Sequence, residues 1–122
     1  MDKHIRVEVR DAEESAQEFV KAWRRAKAGE PVEEPVERLY FQDLGGLLQV
    51  LTPRRLELLR RLHEDGPESV RALAKKLSRD YKNVHTDAAE LLELGLLERD
   101  ADGRLSAPFD EIVIHANIRN AA

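Results

Sequence analysis

In the run Asp80-Tyr81-Lys82-Asn83-Val84-His85-Thr86, four different hydrogen-bonding side chains fall inside two helical turns. They are an ammonium with three donors, a carboxamide that donates and accepts side by side, an imidazole, and a hydroxyl that carries a methyl group. Such a set matches the edges of DNA bases. Asn83 can pair with adenine, Lys82 with guanine or a phosphate, and the Thr86 methyl with the thymine methyl. At about 100° per residue, Val84, Ala88 and Leu91 share one side of a helix opening after Asp80. Lys82 and Thr86 lie almost opposite, with Asn83 and His85 on the flanks. Each also has a plain role. Lys82 can simply solubilise a helix, Asn83 can bond locally, His85 can sit half-buried against the preceding helix, and Tyr81 can pack in the corner.

The flanking pattern supplies the elements that would hold this run outward. Val70, Leu73, Ala74 and Leu77 form one apolar stripe, and a polar break follows at Ser78-Arg79-Asp80. A second stripe is closed by Leu94-Gly95-Leu96-Leu97-Glu98. Ser69 is the expected N-cap of the first of these helices and Asp80 of the second, its carboxylate accepting from the Lys82 or Asn83 N–H. An Asp102-Gly103 turn with Arg104 behind it completes the pattern of two short helices, a strand and a hairpin. In that arrangement the second helix enters a major groove and the hairpin meets the flanking backbone. The expected DNA-contacting set is Ser69, Arg71, Arg79, Tyr81, Lys82, Asn83, His85, Thr86 and Arg104.

Upstream, Thr52-Pro53 is a strong helix start, an N-cap followed by proline at the first helical position. The spacing puts Leu56, Leu59 and Leu62 inward and ends that helix near Asp65-Gly66. Asp43-Leu44-Gly45-Gly46 opens a short helix holding Leu47, Leu48 and Leu51. Ile5, Val7 and Val9 alternate with polar residues, so His4–Arg10 reads as a strand. Asp11 caps a helix running to about Ala28, with Ala16, Phe19, Val20 and Trp23 on its apolar side. Pro31 and Pro35 bracket an acidic loop, Val36–Phe41 is a second strand, and Glu111–Asn117 a further one that pairs with the hairpin or with the N-terminal strands. The fold class is α+β: residues 44–122 as a winged helix-turn-helix domain, and residues 1–43 as a strand-helix-strand extension suited to dimerisation.

The 122-residue chain carries a formal net charge of −4, which by itself argues against nucleic acid. The distribution reverses that reading. Residues 52–86 hold nine Lys/Arg against five acids, whereas residues 87–122 hold three against eight. The absence of cysteine excludes disulfides, thiolate zinc sites and a cysteine nucleophile. No window approaches the apolar length of a membrane span, and Met1-Asp2-Lys3-His4 lacks the character of a signal peptide. A cytoplasmic location is expected.

At Leu73-Ala74-Lys75-Lys76-Leu77, Tyr81-Lys82-Asn83-Val84-His85 and Leu94-Gly95-Leu96-Leu97-Glu98, the chain resembles winged helix-turn-helix transcriptional regulators of the MarR/ArsR-like superfamily. More narrowly, it is similar to small prokaryotic regulators with a KNVH motif opening the recognition helix, and the segment from Thr52 to Leu59 fits that group. The likeness spans roughly residues 41–115. It implies sequence-specific binding of double-stranded operator DNA, usually as a homodimer, and such regulators are often encoded beside a toxin that they neutralise. Thr86 stands where many relatives place a basic residue. The missing cysteine pair means that metal sensing is not carried over.

Two function classes stay open. One is a homodimeric repressor or autorepressor, its two recognition helices about 34 Å apart on a near-palindromic site. The other is an antitoxin-like module that binds a partner protein and touches DNA secondarily; the acidic ends of the chain favour a basic partner. Enzymatic chemistry is not expected. His4, His63, His85 and His115 are scattered, and the sequence has no HExxH, P-loop, GxSxG or CxxC. No cofactor and no metal site is expected.

Overall fold

A computed structural model of the chain describes residues 3–31 and 37–120. It is a small mixed α/β fold with five α-helices. In order these are β1 (His4–Val9), α1 (Ala12–Lys27), β2 (Glu37–Phe41), α2 (Leu44–Val50), α3 (Pro53–Asp65), α4 (Val70–Leu77), α5 (Tyr81–Glu93), β3 (Glu98–Arg99), β4 (Leu105–Ser106) and β5 (Glu111–His115), with a final 3-10 turn at Ile118–Asn120. The chain divides into two compact units, one of residues 4–48 and 112–122, the other of residues 1–3 and 49–111. The second contains helices α3, α4 and α5 and the hairpin β3–β4.

Three helices of this unit begin at side-chain caps. Thr52 accepts from the Arg55 N–H, Ser69 from Ala72 and Asp80 from Lys82, each satisfying one of the orphan donors of a first turn. Between α4 and α5 the chain reverses at Ser78, whose φ of 52° is left-handed. Its N–H returns to the Ala74 and Lys75 carbonyls. A serine tolerates this conformation less readily than glycine, so the tight corner is held by the packing on either side. Leu58, Leu59 and Leu62 from α3, Leu73 and Ala74 from α4, and Val84, Ala88 and Leu91 from α5 are all buried, with Leu96, Leu97 and Leu105 beneath them.

The hairpin β3–β4 is antiparallel, Glu98 opposite Ser106 and Arg99 opposite Leu105. Leu105 also exchanges both backbone hydrogen bonds with Glu68, just ahead of α4, at 3.0 and 2.7 Å. The hairpin is thereby tied to the start of the helix pair. At its tip the Asp100 carboxylate accepts from the Asp102 and Arg104 N–H groups at 2.9 Å each, while Gly103 supplies a φ of +81°.

The other unit carries a three-stranded sheet in the order β2-β1-β5. β1 and β2 are parallel, Val7 beside Leu39 and Val9 beside Phe41, and α1 is the crossover between them, as a parallel pair requires. Of the two pairings open to the C-terminal strand, it takes the one with the N-terminal strands. Asp11 caps α1 by accepting from Glu14. None of the α1 side chains is buried. Val36 and Pro35 lie outside the described residues.

In α3 the expected inward set holds for Leu59 and Leu62 but not for Leu56. Leu56 faces outward, 42% exposed, and Leu58 takes the buried place; Leu48 is exposed while Leu47 is buried. The consequence is measurable. Leu73→Ala is expected to cost about 2–5 kcal/mol of stability, whereas Leu56→Ala should stay within about 0.5 kcal/mol. Chemical denaturation of the two variants checks the ranking, and equal losses would refute the assigned burial.

Candidate nucleic-acid interface

What α5 presents outward depends on what pins it inward. Beside Val84, Ala88 and Leu91, the helix buries a carboxylate, Asp87, which is only 4% exposed. Arg55 of α3 donates from Nε to Asp87 Oδ1 at 3.0 Å, and Arg79 donates from Nη2 to Oδ2 at 2.6 Å. Arg55 Nη1 also reaches the Val50 carbonyl at 3.0 Å and Glu90 Oε2 at 3.3 Å. One carboxylate therefore ties together α3, the α4–α5 corner and α5. Burial would raise the Asp87 carboxyl, but the hydrogen bonds and charges of Arg79 and Arg55 outweigh it and hold the group below the ordinary aspartate range.

With that side fixed, Tyr81, Lys82, Asn83, His85 and Thr86 are all exposed. They occupy the first two turns of α5, and the Lys82 and Asn83 side chains extend without competing hydrogen bonds among the described residues. Thr86 Oγ1 donates back to the Lys82 carbonyl at 3.0 Å, which leaves its methyl as the outward group. Tyr81 is sandwiched loosely, its ring centroid 6.0 Å from that of His85 and 5.4 Å from the Arg71 guanidinium carbon. Arg71, Tyr81 and His85 thus form one continuous surface across α4 and α5. Ser69 is exposed but occupied as the α4 cap.

Two members of the expected set are placed differently from the rest. Arg79, with its side chain 17% exposed, turns inward to Asp87 and acts on the interface by positioning α5. Arg104 is exposed at the hairpin tip, yet its Nε donates to Asp100 at 3.1 Å and its Nη2 to Asp102 at 3.5 Å. Hydrogen bonds from the Arg104 backbone hold the Asp100 carboxyl low, reinforced by Asp102 N–H and by the Arg104 charge. The Arg104 charge is therefore more than offset by the two carboxylates of the hairpin tip.

The same accounting thins the basic stretch of residues 52–86. Arg60 is bound by Glu57 and Glu64, Arg61 lies 4.0 Å from Asp65, and Lys76 pairs with Glu68 and Asp65. Among the described residues, Arg54, Arg71, Lys75 and Lys82 carry no ion pair. These four, rather than the nine read from composition, make up the positive charge available to a phosphate backbone.

Sequence reasoning missed the role of Asp87 because Arg55 lies 32 residues away and no local pattern links them. It also missed a second buried carboxylate. Glu8 of β1 is met by Arg10 at 2.6 Å, Arg6 at 3.5 Å and Arg38 of β2 at 3.6 Å. The sequence signal was the spacing of Arg6, Glu8 and Arg10 at every second residue, which puts all three on one face of a strand; the approach of Arg38 follows from the parallel register. Among the described residues no group of three or more His, Asp or Glu side chains could hold a metal, and no helix is long and apolar enough to cross a membrane.

Residues 50–114 match the model of a family designated HVO_A0114, a stretch that takes in α3, α4, α5 and the hairpin. No curated protein and no solved structure matches the chain.

The ion cluster is directly testable. Asp87→Ala leaves two partly buried guanidinium groups without their counter-charge and is expected to cost about 3 kcal/mol. Replacing Asp87, Arg55 and Arg79 together by apolar residues should cost less than the single change. The pH dependence has a definite sign. The contribution of Asp87 is fully present above its unfolded pKa of about 3.9, and it is lost as pH falls through the lower folded value. Urea midpoints should therefore fall more steeply below about pH 4 for the native chain than for Asp87→Asn; parallel curves would refute this assignment.

Proposed function

We propose that this chain, which belongs to the HVO_A0114 family, is a sequence-specific DNA-binding regulator of transcription. On this reading α4 and α5 are the two helices of a winged helix-turn-helix and β3–β4 is its wing. The family designation names no activity, so the proposal rests on geometry. The observation that carries it is the division of α5 into two faces. Asp87 and the apolar residues hold one, while Lys82, Asn83, His85 and Thr86 project together from the other in the turns where such a helix meets base edges.

Each outward group has a distinct part. Asn83 offers the side-by-side donor and acceptor that adenine N7 and N6 require, and the Thr86 methyl offers an apolar contact to thymine. Lys82 lies one residue before Asn83 and reaches guanine or a phosphate. Arg71, Lys75 and Arg54 supply phosphate contacts that fix register without reading sequence. Because Arg104 is engaged by two carboxylates, the wing contributes less to affinity than α5 does. Repression follows from occupancy, since a protein seated in the major groove of a promoter excludes other proteins there.

The test is selection of bound duplexes from a random pool, followed by titration of the recovered sequence. Asn83→Ala should lose about 1–3 kcal/mol of discrimination at one base pair. Lys75→Ala should weaken binding to every sequence alike and flatten the log–log salt dependence by about 0.9. Both side chains are exposed, so both variants should fold. Failure to recover any preferred sequence, or a salt-independent affinity, would end this reading.

A further inference from the structure

We propose that α1 is a self-recognition surface, pairing antiparallel with α1 of a second copy of this chain about a two-fold axis near Phe19 and Val20. The inference goes beyond the DNA-binding reading and does not depend on it. Its starting point is an amphipathic helix with no buried residue. Phe19 is 72% exposed, Trp23 57% and Val20 44%. Two of the largest apolar side chains of the protein thus stand in water one turn apart, in a helix whose opposite face is charged.

The stripe has the spacing of a helix-to-helix seam. Ala12, Ala16, Phe19, Trp23 and Ala26 follow one another at intervals of four, three, four and three residues, the alternation that keeps one face toward a partner helix. Its small residues flank the large ones, so the aromatic side chains of one helix have alanine-lined room on the other. The seam is short. Covering Phe19 and Trp23 in both copies removes on the order of 400–800 Å² from water, below the roughly 1,000 Å² of a specific interface, so Val20 and the stems of the flanking charged side chains must add to it. The pair is therefore concentration-dependent.

Charge determines the occupant and its direction. The first half of α1 carries Glu13, Glu14 and Glu18, and the second half Lys21, Arg24, Arg25 and Lys27. A parallel pair would stack acid on acid and base on base. An antiparallel pair lays the acidic half of each helix along the basic half of the other, and a two-fold axis makes every such contact occur twice. Glu13 and Lys27 are 14 residues apart and so fall on the same flank of the seam. In an antiparallel pair the same flanks face each other, which sets Glu13 of each chain against Lys27 of the other. Lys27 is already drawn along the stripe, its Nζ 5.0 Å from the Trp23 ring centroid. Glu18 has an intrahelical partner in Lys21 at 3.8 Å.

The chain provides its own reporters. Trp23 is its single tryptophan and it has no cysteine. On dilution of the full-length protein, the mass from sedimentation equilibrium should fall from dimer to monomer while Trp23 emission moves to longer wavelength over the same range. Phe19→Glu should give a monomer with unchanged helix content. Glu13→Lys or Lys27→Glu alone should weaken the dimer severalfold, and the two together in one chain should restore it. Glu13→Cys protein mixed with Lys27→Cys protein should cross-link between the two kinds of chain in preference to within either. A chain that stays monomeric at its highest soluble concentration would overturn the proposal, the stripe then being covered by some other surface. Preferential self-cross-linking, or no restoration by the charge swap, would overturn the antiparallel arrangement.

Discussion

The contact between Asp87 and two arginines decides how the rest of the helical unit can be used. A carboxylate on the inner face of α5 is costly to bury by itself. Here it receives one guanidinium from α3 and another from the α4–α5 corner, so the helix is fixed in rotation as well as in depth. Leucine packing alone specifies a buried stripe but tolerates small rotations; two directional hydrogen bonds at 3.0 and 2.6 Å do not. Because the inner face is set this firmly, the outer face carries its four polar side chains without needing further support.

On the proposed DNA-binding reading, that division of labour is also what would let an acidic protein meet a polyanion. Most charges in the basic stretch neutralise one another along α3 and at the start of α4, and the carboxylates of the hairpin tip do the same for Arg104. What remains positive is sparse: Arg54 at the start of α3, Arg71 and Lys75 on α4, and Lys82 in the first turn of α5. Affinity from such a surface would be modest and would depend heavily on the fit of individual side chains, the regime in which base contacts matter most relative to bulk electrostatics.

Local chemistry was readable from the residues. Thr52, Ser69 and Asp80 announce three helix starts because a cap requires a particular side chain at a particular place, and the bonds from Arg55, Ala72 and Lys82 follow. The outward position of Lys82 and Thr86 follows from helical period. Facts requiring a partner far along the chain were not readable. The inward turn of Arg79, the pairing of Arg55 with Asp87, and the three arginines around Glu8 depend on which elements meet. The exchange of Leu56 for Leu58 inside α3 has the same origin, since periodicity defines a stripe and tertiary packing chooses which edge of it is covered. For α1, the pattern showed an apolar face but could not show that this face would stay exposed.

One small clasp has a wider meaning for how the molecule assembles. The Lys3 N–H donates to Asp110 Oδ2 at 2.8 Å, and the Asp110 N–H returns to the Lys3 carbonyl at 2.7 Å, joining positions 107 residues apart. Asp110 is held further by His63 at 2.7 Å. Closing so long a loop in an unstructured chain is slow, because the ends must meet before any contact rewards them. Helices α3 to α5 make their contacts over much shorter separations and can condense without that step. On these grounds assembly is expected to run from the middle of the polypeptide outward, the strands at its two extremities knitting last, with late protection of Ile112 to Ile114 in hydrogen exchange during refolding as the sign of that order.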